Sequence, residues 1–427
     1  MKLDVQGRAL AVLNRLAQAD WPARLKLRQP LEKLIFRGSR ASFRLAASRA
    51  SKIPRSPRPL DPDALFDLTL SDEQQMLVEM LDGFAAEVLR PAAHDADAAG
   101  AVPAVLREQA QALGLTFYGV GEQHGGMAGE RTTLTNALLA EALAKGDLSL
   151  AAALLVPLSA VNCIRRWASA EQQARWLPAY LGDAAAPLTA LAVSEPRVLF
   201  DPQQLNTRAK RKGAHYLLSG EKCLVLRGVE AAQLIVAAQT SSGPALFLLD
   251  ANSAGVERRA EPAMGLKATA TARIVLHKVK VPAENRLAAE HFNYQRFLDH
   301  AALAWCALAV GTAQAALDYV IPYCNERLAF GEPISHRQGV AFMVADMAIE
   351  VDAMRLLVWR ACARAEQGLP FQREAYLARL LCSDKAMQIG TDAVQLLGGH
   401  GFTKEHPVER WYRDLRGVAI MAGGLQL

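Results

Sequence analysis

The stretch Gln395-Leu-Leu-Gly-Gly-His-Gly-Phe402 decides the fold of this chain. It follows a long proline-free segment, Gln372–Leu397, whose apolar periodicity predicts a helix. The glycines end that helix, since glycine adopts backbone conformations that other residues avoid. Glycines also let the backbone approach another group closely, so two interpretations compete: a tight turn between helices, or a contact with a ligand. On this stretch alone the turn is favoured.

Upstream of this stretch the pattern stays helical. A second amphipathic helix is predicted from Ser335 to Gln367. Before it lies Ala301–Leu317, 17 residues without a charge and dominated by alanine. Alanine gains little on transfer to lipid, so we expect a buried helix here rather than a membrane span.

The middle of the chain has short apolar runs separated by Gly, Asp, Lys or Pro, which predict an all-β domain. The region before it is helical, and Ser71 followed by Gln74 is a capping-box pattern at a helix start. The sequence therefore predicts a multidomain α+β protein. Its parts are a basic extension and linker (1–67), an N-terminal α-helical domain (68–190), a central β-domain (191–288) and a C-terminal helical bundle of four helices (289–427).

Charge is unevenly distributed along the 427 residues, whose total is +5. Residues 1–60 hold 14 Lys or Arg and 3 Asp or Glu, a net charge of +11, which leaves −6 on the rest. The 51% hydrophobic content supports a large core and excludes general disorder. Six cysteines stand apart without a Cys-x-x-Cys pair, which argues against a zinc site or a disulfide framework; we expect no metal.

The basic extension leaves several interpretations open. Lys33, Arg37, Arg40 and Arg44 would share one face of a helix. The segment is a solvated tail, a contact to an anionic membrane surface, or a cleaved targeting peptide. Nucleic acid binding is the less favoured alternative. We expect a cytoplasmic protein, with peripheral attachment to the inner membrane face as the alternative.

Several motifs occur in an order that resembles the acyl-CoA dehydrogenase family across about 68–427. Each is weak alone, whereas their common order and spacing is specific. The motifs are Gly121-Glu-Gln-His-Gly-Gly126, Val279-Lys-Val-Pro-Ala-Glu-Asn285, Glu326-Arg-Leu-Ala-Phe-Gly331 with Gln338, and Gln395–Phe402 followed by Arg413-Asp414.

The resemblance implies one FAD per subunit in a homo-oligomer or hetero-oligomer, an acyl-CoA substrate, a role in fatty acid metabolism, and electron-transfer flavoprotein as the electron acceptor of an active member. It also implies cofactor contacts. Arginine is a planar charged donor for phosphate, and glycine permits close approach. The implied cofactor-binding residues are Ser194, Arg327, Phe330, Gln338, Gln395, Gly398 and Gly399.

The sequence departs from the family at its catalytic base. Family members remove the α-proton of the acyl thioester with a glutamate while the flavin accepts a hydride from the β-carbon. Alignment on Arg413-Asp414 places that glutamate at Ala422. A minority of the family carries it on the first helix of the C-terminal bundle, which corresponds to Ala301. Neither position holds a carboxylate, so we assign no catalytic residue.

The expected flavin pocket is also altered. Ser194 keeps a hydroxyl for the flavin pyrimidine edge, but the family's following Gly-Ser turn is replaced by Arg197-Val-Leu-Phe-Asp201. Where the family has Trp-x-Thr against the flavin ring and N5, this chain has Leu224-Val-Leu226. The Asp-x-Arg cluster reads Ala270-Thr271-Ala272, with Arg273 one place late.

These departures leave three interpretations of function. The protein is an FAD-dependent dehydrogenase that uses unusual residues, a noncatalytic subunit that shares cofactor in a mixed oligomer, or a flavoenzyme with other chemistry. An engineered inactive variant would explain Ala422 alone, whereas the joint losses favour natural divergence.

Overall fold

The computed structural model describes residues 69–129, 131–181, 186–288 and 290–427. The basic extension lies outside the described residues, so its proposed roles stay predictions. The first described part is helical, as the sequence predicts. Its helices are α1 (Asp72–Phe84), α2 (Arg90–Ala99), α3 (Ala104–Ala112), α4 (Thr132–Gly146), α5 (Leu148–Leu154), α6 (Val156–Trp167) and α7 (Ala170–Trp176).

The capping box at the start of α1 is confirmed. The backbone N–H of Gln74 donates to the Ser71 hydroxyl at 3.2 Å, and the Ser71 N–H donates to the Gln74 side chain at 3.1 Å. Two backbone donors that a helix start leaves unpaired are thereby satisfied.

The central domain is a seven-stranded sheet in the order β1-β4-β2-β3-β7-β6, with β5 paired to β4. Its strands are β1 (Thr189–Ala192), β2 (Arg208–Lys212), β3 (His215–Val225), β4 (Gln233–Thr240), β5 (Gly243–Asp250), β6 (Val256–Ala260) and β7 (Ala272–Pro282). Sequence patterns predict β4, β5 and β7, whereas no predicted run corresponds to β1. They miss β2 and β6, whose charged residues are mostly exposed, and they split β3, which runs past Gly220 with two register shifts.

The last part is a bundle of four long helices, as expected. These are α8 (Tyr294–Glu326), α9 (Gln338–Glu366), α10 (Gln372–Leu397) and α11 (Val408–Val418), with a short hairpin, β8 (Leu328–Ala329) and β9 (Glu332–Pro333), between α8 and α9.

Helix α8 is the centre of the bundle. Its length and composition would suit a membrane span, but 89% of its most apolar window is buried. A Cβ at Gly311 would lie 2.0 Å from the Glu141 carbonyl oxygen, so α8 and α4 approach closely at this point. The prediction of a buried helix is confirmed.

A buried set of ion pairs joins α11 to the other domains. Arg410 donates to Asp147 at 2.9 Å, and Arg413 donates twice to Asp97, at 2.9 Å each. Asp414 accepts the backbone N–H of Leu266 at 2.6 Å. The motif around Arg413-Asp414 therefore fixes where the chain leaves α11.

Beyond α11 the segment Met421–Leu427 is buried almost throughout. Trp305 of α8 donates to the Gly423 carbonyl at 2.8 Å, and the Gln426 amide donates to the Phe297 carbonyl at 2.9 Å. These contacts hold the segment, and residue 422 within it, against α8.

Candidate cofactor site and active site

Two motifs meet at one end of the bundle. The Tyr323 hydroxyl lies 3.3 Å from the Leu397 carbonyl oxygen and 2.8 Å from Nδ1 of His400. One turn later the backbone N–H of Arg327 donates to the Tyr323 carbonyl at 2.8 Å. Tyr323 thereby links the end of α8 to the turn after α10. We call this end the glycine corner, and it comprises Arg327, Phe330, Gln338, Gln395, Gly398 and Gly399.

The glycine corner is exposed, and its polar side chains are uncommitted. Arg327, Gln338 and Gln395 are exposed, and within the described part of the chain their side chains have no hydrogen-bond partner. A Cβ at Gly398 or Gly399 would meet nothing within 4 Å. The free guanidinium and the open backbone suit an anionic group that comes from outside this subunit.

The glycines of this turn have different roles. A Cβ at Gly401 would lie 2.2 Å from the Val394 carbonyl oxygen, so internal packing requires glycine there. Gly398 has a φ of +59°, which favours glycine through backbone conformation. Gly399 has neither constraint within the described residues. The turn interpretation therefore accounts for Gly401 and Gly398 but leaves Gly399 to an external contact.

Two further features of the corner suit a ligand. Phe330 is 97% exposed at a φ of +54°, a strained arrangement for an aromatic residue, and the Arg337 guanidinium lies 5.9 Å from its ring centroid. Gln338 is the first residue of α9, and the residue before it, Arg337, makes no side-chain cap. The first N–H groups of this long helix are therefore available to an anion.

The second set of predicted residues lies between the β-domain and the segment after α11. We call it the Ala422 region, and it comprises Ser194, Leu224, Leu226, Ala422 and Gly423. The Ser194 hydroxyl donates to the Ala422 carbonyl at 2.9 Å. The structure thus brings the predicted flavin contact next to the predicted base position, and it engages the serine hydroxyl within the chain.

The Ala422 region is closed by apolar packing. Leu226 is 1% exposed, and a Cβ at Gly424 would lie 3.7 Å from its Cδ1. Gly423 has a φ of +77°, and a Cβ there would lie 2.5 Å from Cβ of Val193. The Leu224 N–H donates to Glu261 at 2.7 Å. No hydroxyl stands at 226, where the family would place one.

A buried ion pair, which no sequence motif predicted, holds the two residues on either side of Ser194. Lys222 donates to Glu195 and to the Val193 carbonyl, each at 2.9 Å. Burial lowers the pKa of Lys222 to about 8, although Glu195 opposes this shift. Burial alone would raise the pKa of Glu195, but Lys222 and the N–H groups of Asn206 and Thr207 outweigh it and lower that pKa.

A cavity of about 460 Å³ opens beside Ala422. Ala302 of α8 lines it, whereas Ala301 is 1% exposed and does not. The family's alternative base position thus lies in the helix packing, and position 422 faces the cavity. The other lining residues include Gln203, Gln295, Leu298, Asp299, Gln372, Arg373, Tyr376 and Arg379.

Asp299 is the one carboxylate among the described residues that line this cavity, and no sequence motif predicted it. It is 6% exposed; Oδ1 accepts the Gln295 amide at 2.7 Å, and Oδ2 has no hydrogen-bond partner in the described ranges. Burial raises the pKa of Asp299, against the opposing effects of Gln295 and Arg296. The spacing of Gln295, Asp299 and Ala302 along one helix face was the available signal.

Family models for the three domains of the acyl-CoA dehydrogenases match the chain consecutively. The N-terminal domain matches residues 71–183, the middle domain 190–279 and the C-terminal domain 293–426. A cyclohex-1-ene-1-carbonyl-CoA dehydrogenase of Geobacter metallireducens is 34% identical, over 84% of this chain and 96% of the relative.

Solved structures agree with the family models. The butyryl-CoA dehydrogenase of Megasphaera elsdenii superposes with a TM-score of 0.76 at 31% identity, covering 84% of this chain and 96% of that one. The FAD complex of PigA gives a TM-score of 0.76 at 26% identity with the same coverage. The chain therefore belongs to the acyl-CoA dehydrogenase family, whose members use FAD.

Proposed function

We propose that this protein is an FAD-dependent dehydrogenase that oxidises a saturated acyl-CoA between its α- and β-carbons, although positions 301 and 422 hold alanine. The glycine corner is the observation that carries this proposal. Its exposed arginine, its uncapped helix start and the open backbone at Gly399 are not required by the packing of the described residues, and they suit a diphosphate.

The residues of the corner have separate roles in this proposal. Arg327 supplies charge to the FAD diphosphate, Gln338 and the α9 N-terminus supply hydrogen-bond donors, and Gly398 and Gly399 admit the phosphate close to the backbone. The exposure of Phe330 supports a contact with the adenosine part. Since the corner and the Ala422 region lie in different parts of the subunit, a homo-oligomer would let two subunits share each FAD.

The Ala422 region would receive the flavin ring and the thioester. When bound, FAD supplies the hydride acceptor and passes the electrons to an electron-transfer flavoprotein. In this proposal Ser194 orients the flavin ring, and Leu224 and Leu226 exclude water from it. The cavity beside Ala422 receives the acyl group. The flavin ring would lack a hydroxyl donor to its N5 atom, because Leu226 has no hydrogen-bonding group. We therefore expect slower turnover than in family members that have this hydroxyl.

An absorption spectrum of the purified full-length protein tests this proposal. We expect flavin bands, or stoichiometric uptake of FAD by colourless protein, and bleaching of those bands by saturated acyl-CoA under anaerobic conditions. A chain-length series from butanoyl-CoA to palmitoyl-CoA would identify the acyl group. Protein that takes up no FAD at micromolar concentration would overturn the proposal.

The second candidate is a noncatalytic subunit of a mixed oligomer. The Ser194–Ala422 hydrogen bond favours it, because this bond occupies the hydroxyl that the flavin edge would use. In that case the chain should bind FAD through the glycine corner only when mixed with a catalytic family member. FAD uptake that requires such a partner, without bleaching by acyl-CoA in the protein alone, would favour this candidate over the first.

A further inference from the structure

The cavity beside Ala422 lacks a base at the two predicted positions but contains one other carboxylate. Removing a proton from the α-carbon of a thioester needs a base within hydrogen-bond reach, and alanine at 301 and 422 cannot serve. Asp299 is the single carboxylate on the described cavity wall, and Ala422 lines the same wall. A carboxylate on α8 therefore faces the space that the family's glutamate would serve from the segment after α11.

The position of Asp299 is fixed by its neighbours. Gln295, one turn earlier on α8, donates to Oδ1 at 2.7 Å, and Gln203 of the β-domain is hydrogen-bonded to Gln295. These contacts orient the carboxylate and leave Oδ2 without a partner. The Asp299 carboxyl is 94% buried, with one oxygen hydrogen-bonded and the other unpaired. Burying an unpaired oxygen destabilises the folded protein, so a partner or ligand for that oxygen is expected.

We propose that Asp299 is the general base that takes the α-proton of acyl-CoA in this protein, an assignment that rests on the dehydrogenase function proposed above. The α-C–H bond breaks and its proton passes to Oδ2. The electron pair of that bond forms the Cα–Cβ double bond as the β-hydrogen leaves as hydride. The FAD of the proposed function would supply the acceptor for this hydride, and the product would be the 2-enoyl-CoA.

The charge around Asp299 is compatible with this role. Arg296 on its own helix is the charged group that acts on the pKa of Asp299, and Arg373, Tyr376 and Arg379 of α10 are the other titratable or charged residues that line the described cavity wall. Burial favours the neutral acid and dominates, whereas the Gln295 hydrogen bond and the Arg296 charge favour the carboxylate. Proton abstraction should therefore weaken as pH falls through the raised pKa of Asp299.

The test compares the full-length wild-type protein with Asp299→Asn, which keeps the acceptor for Gln295 but cannot take a proton. Exchange of the α-hydrogens of butanoyl-CoA and octanoyl-CoA with D₂O, followed by mass spectrometry, reports proton removal directly. Anaerobic bleaching of FAD reports dehydrogenation. We expect both rates to fall about 10²–10⁴-fold in Asp299→Asn, with FAD affinity unchanged and the acidic limb of the exchange profile lost.

Two further variants make the comparison specific. Asp318→Asn changes an exposed carboxylate on the same helix and should leave both rates unchanged. Asp299→Glu keeps the carboxylate one methylene further out and should retain part of the exchange. If Asp299→Asn does not fold, Asp299→Ser serves in its place.

The outcomes separate this inference from the proposed function. If acyl-CoA bleaches the FAD of Asp299→Asn as fast as that of the wild-type protein, the inference is overturned and the proposed function stands. Exchange that depends on Asp299 without bleaching would support the base and contradict the dehydrogenase function. Wild-type protein that catalyses no exchange would overturn the inference.

Discussion

The glycine corner and the Ala422 region differ in whether their polar groups have hydrogen-bond partners within the chain. In the corner, Arg327 and Gln338 are exposed and have no polar partner in the described chain, and the open backbone at Gly399 has nothing to pack against. In the Ala422 region, Ser194 is bonded to the chain itself and Leu226 is 1% exposed. The corner leaves its polar groups free for a ligand, whereas the Ala422 region engages its serine hydroxyl and leucine side chain within the chain, beside an open cavity.

The difference indicates which substitutions the fold accepts. At the positions where the sequence comparison predicts an aromatic and a hydroxyl residue, Leu224 and Leu226 are apolar side chains that fill space without offering a hydrogen-bonding group. The ion pairs of α11 with Asp97 and Asp147 keep the segment after α11 in place whatever residue stands at 422. An alanine at the predicted base position is therefore compatible with the fold.

The largest effect should come from breaking the support of the Ala422 region. Lys222→Met leaves Glu195 charged and buried without its partner, and we expect the free energy of unfolding to fall by about 3–5 kcal/mol. Urea denaturation followed by circular dichroism measures this. Lys210→Met, on an exposed position of β2, is the control. A loss below about 1 kcal/mol would mean that the pair is not the main support of this region.

The next effect concerns the glycine corner. Arg327→Ala should weaken FAD binding by about 1.5–3 kcal/mol, or about 10- to 150-fold, because one charge-assisted contact is lost. Stability of the FAD-free protein should not change, since Arg327 is exposed. Fluorescence titration with FAD measures the affinity, and Arg208→Ala, an exposed arginine on β2, is the matched control. Equal affinity in both variants would remove Arg327 from the FAD site.

A carboxylate restored at 422 tests whether the Ala422 region lacks only its base. In protein that carries Asp299→Asn, Ala422→Glu should raise α-proton exchange by about tenfold, less than the 10²–10⁴ typical of a well-placed base. Full recovery of FAD bleaching is not expected, because Leu226 still offers no hydroxyl to flavin N5. Ala301→Glu is the comparison, and we expect it to lose stability because its charge would be buried in the helix packing. Full recovery in Ala422→Glu would mean that the base alone limits the rate.

The smallest effect should follow Ser194→Ala. The hydrogen bond to the Ala422 carbonyl is worth about 0.5–1.5 kcal/mol of unfolding free energy. If Ser194 serves the flavin edge instead, the variant should shift the visible absorption maximum of bound FAD and leave the stability of the FAD-free protein unchanged. Thermal denaturation together with the FAD spectrum distinguishes the two roles.

Local signals in the sequence were sufficient for much of the fold. Three patterns depend only on residues close in sequence, so they can be recognised without knowing the fold. They are the capping box at Ser71, the periodicity of α8 to α10, and the apolar runs of β4, β5 and β7. The charged strands β2 and β6 carried no such signal, because their stability comes from ladder hydrogen bonds to neighbouring strands rather than from their own apolar faces. The motif order identified the family.

Tertiary structure alone decided the arrangement of the site. The sequence determined that positions 301 and 422 lack a carboxylate, but not that Ala301 is packed away while Ala422 faces a cavity with Asp299. It likewise could not reveal that Ser194 bonds the Ala422 carbonyl, or that Tyr323 joins the two motifs of the glycine corner. Residues more than 70 positions apart meet in each case. Such contacts depend on how whole helices and strands pack, and no short stretch of sequence encodes that packing.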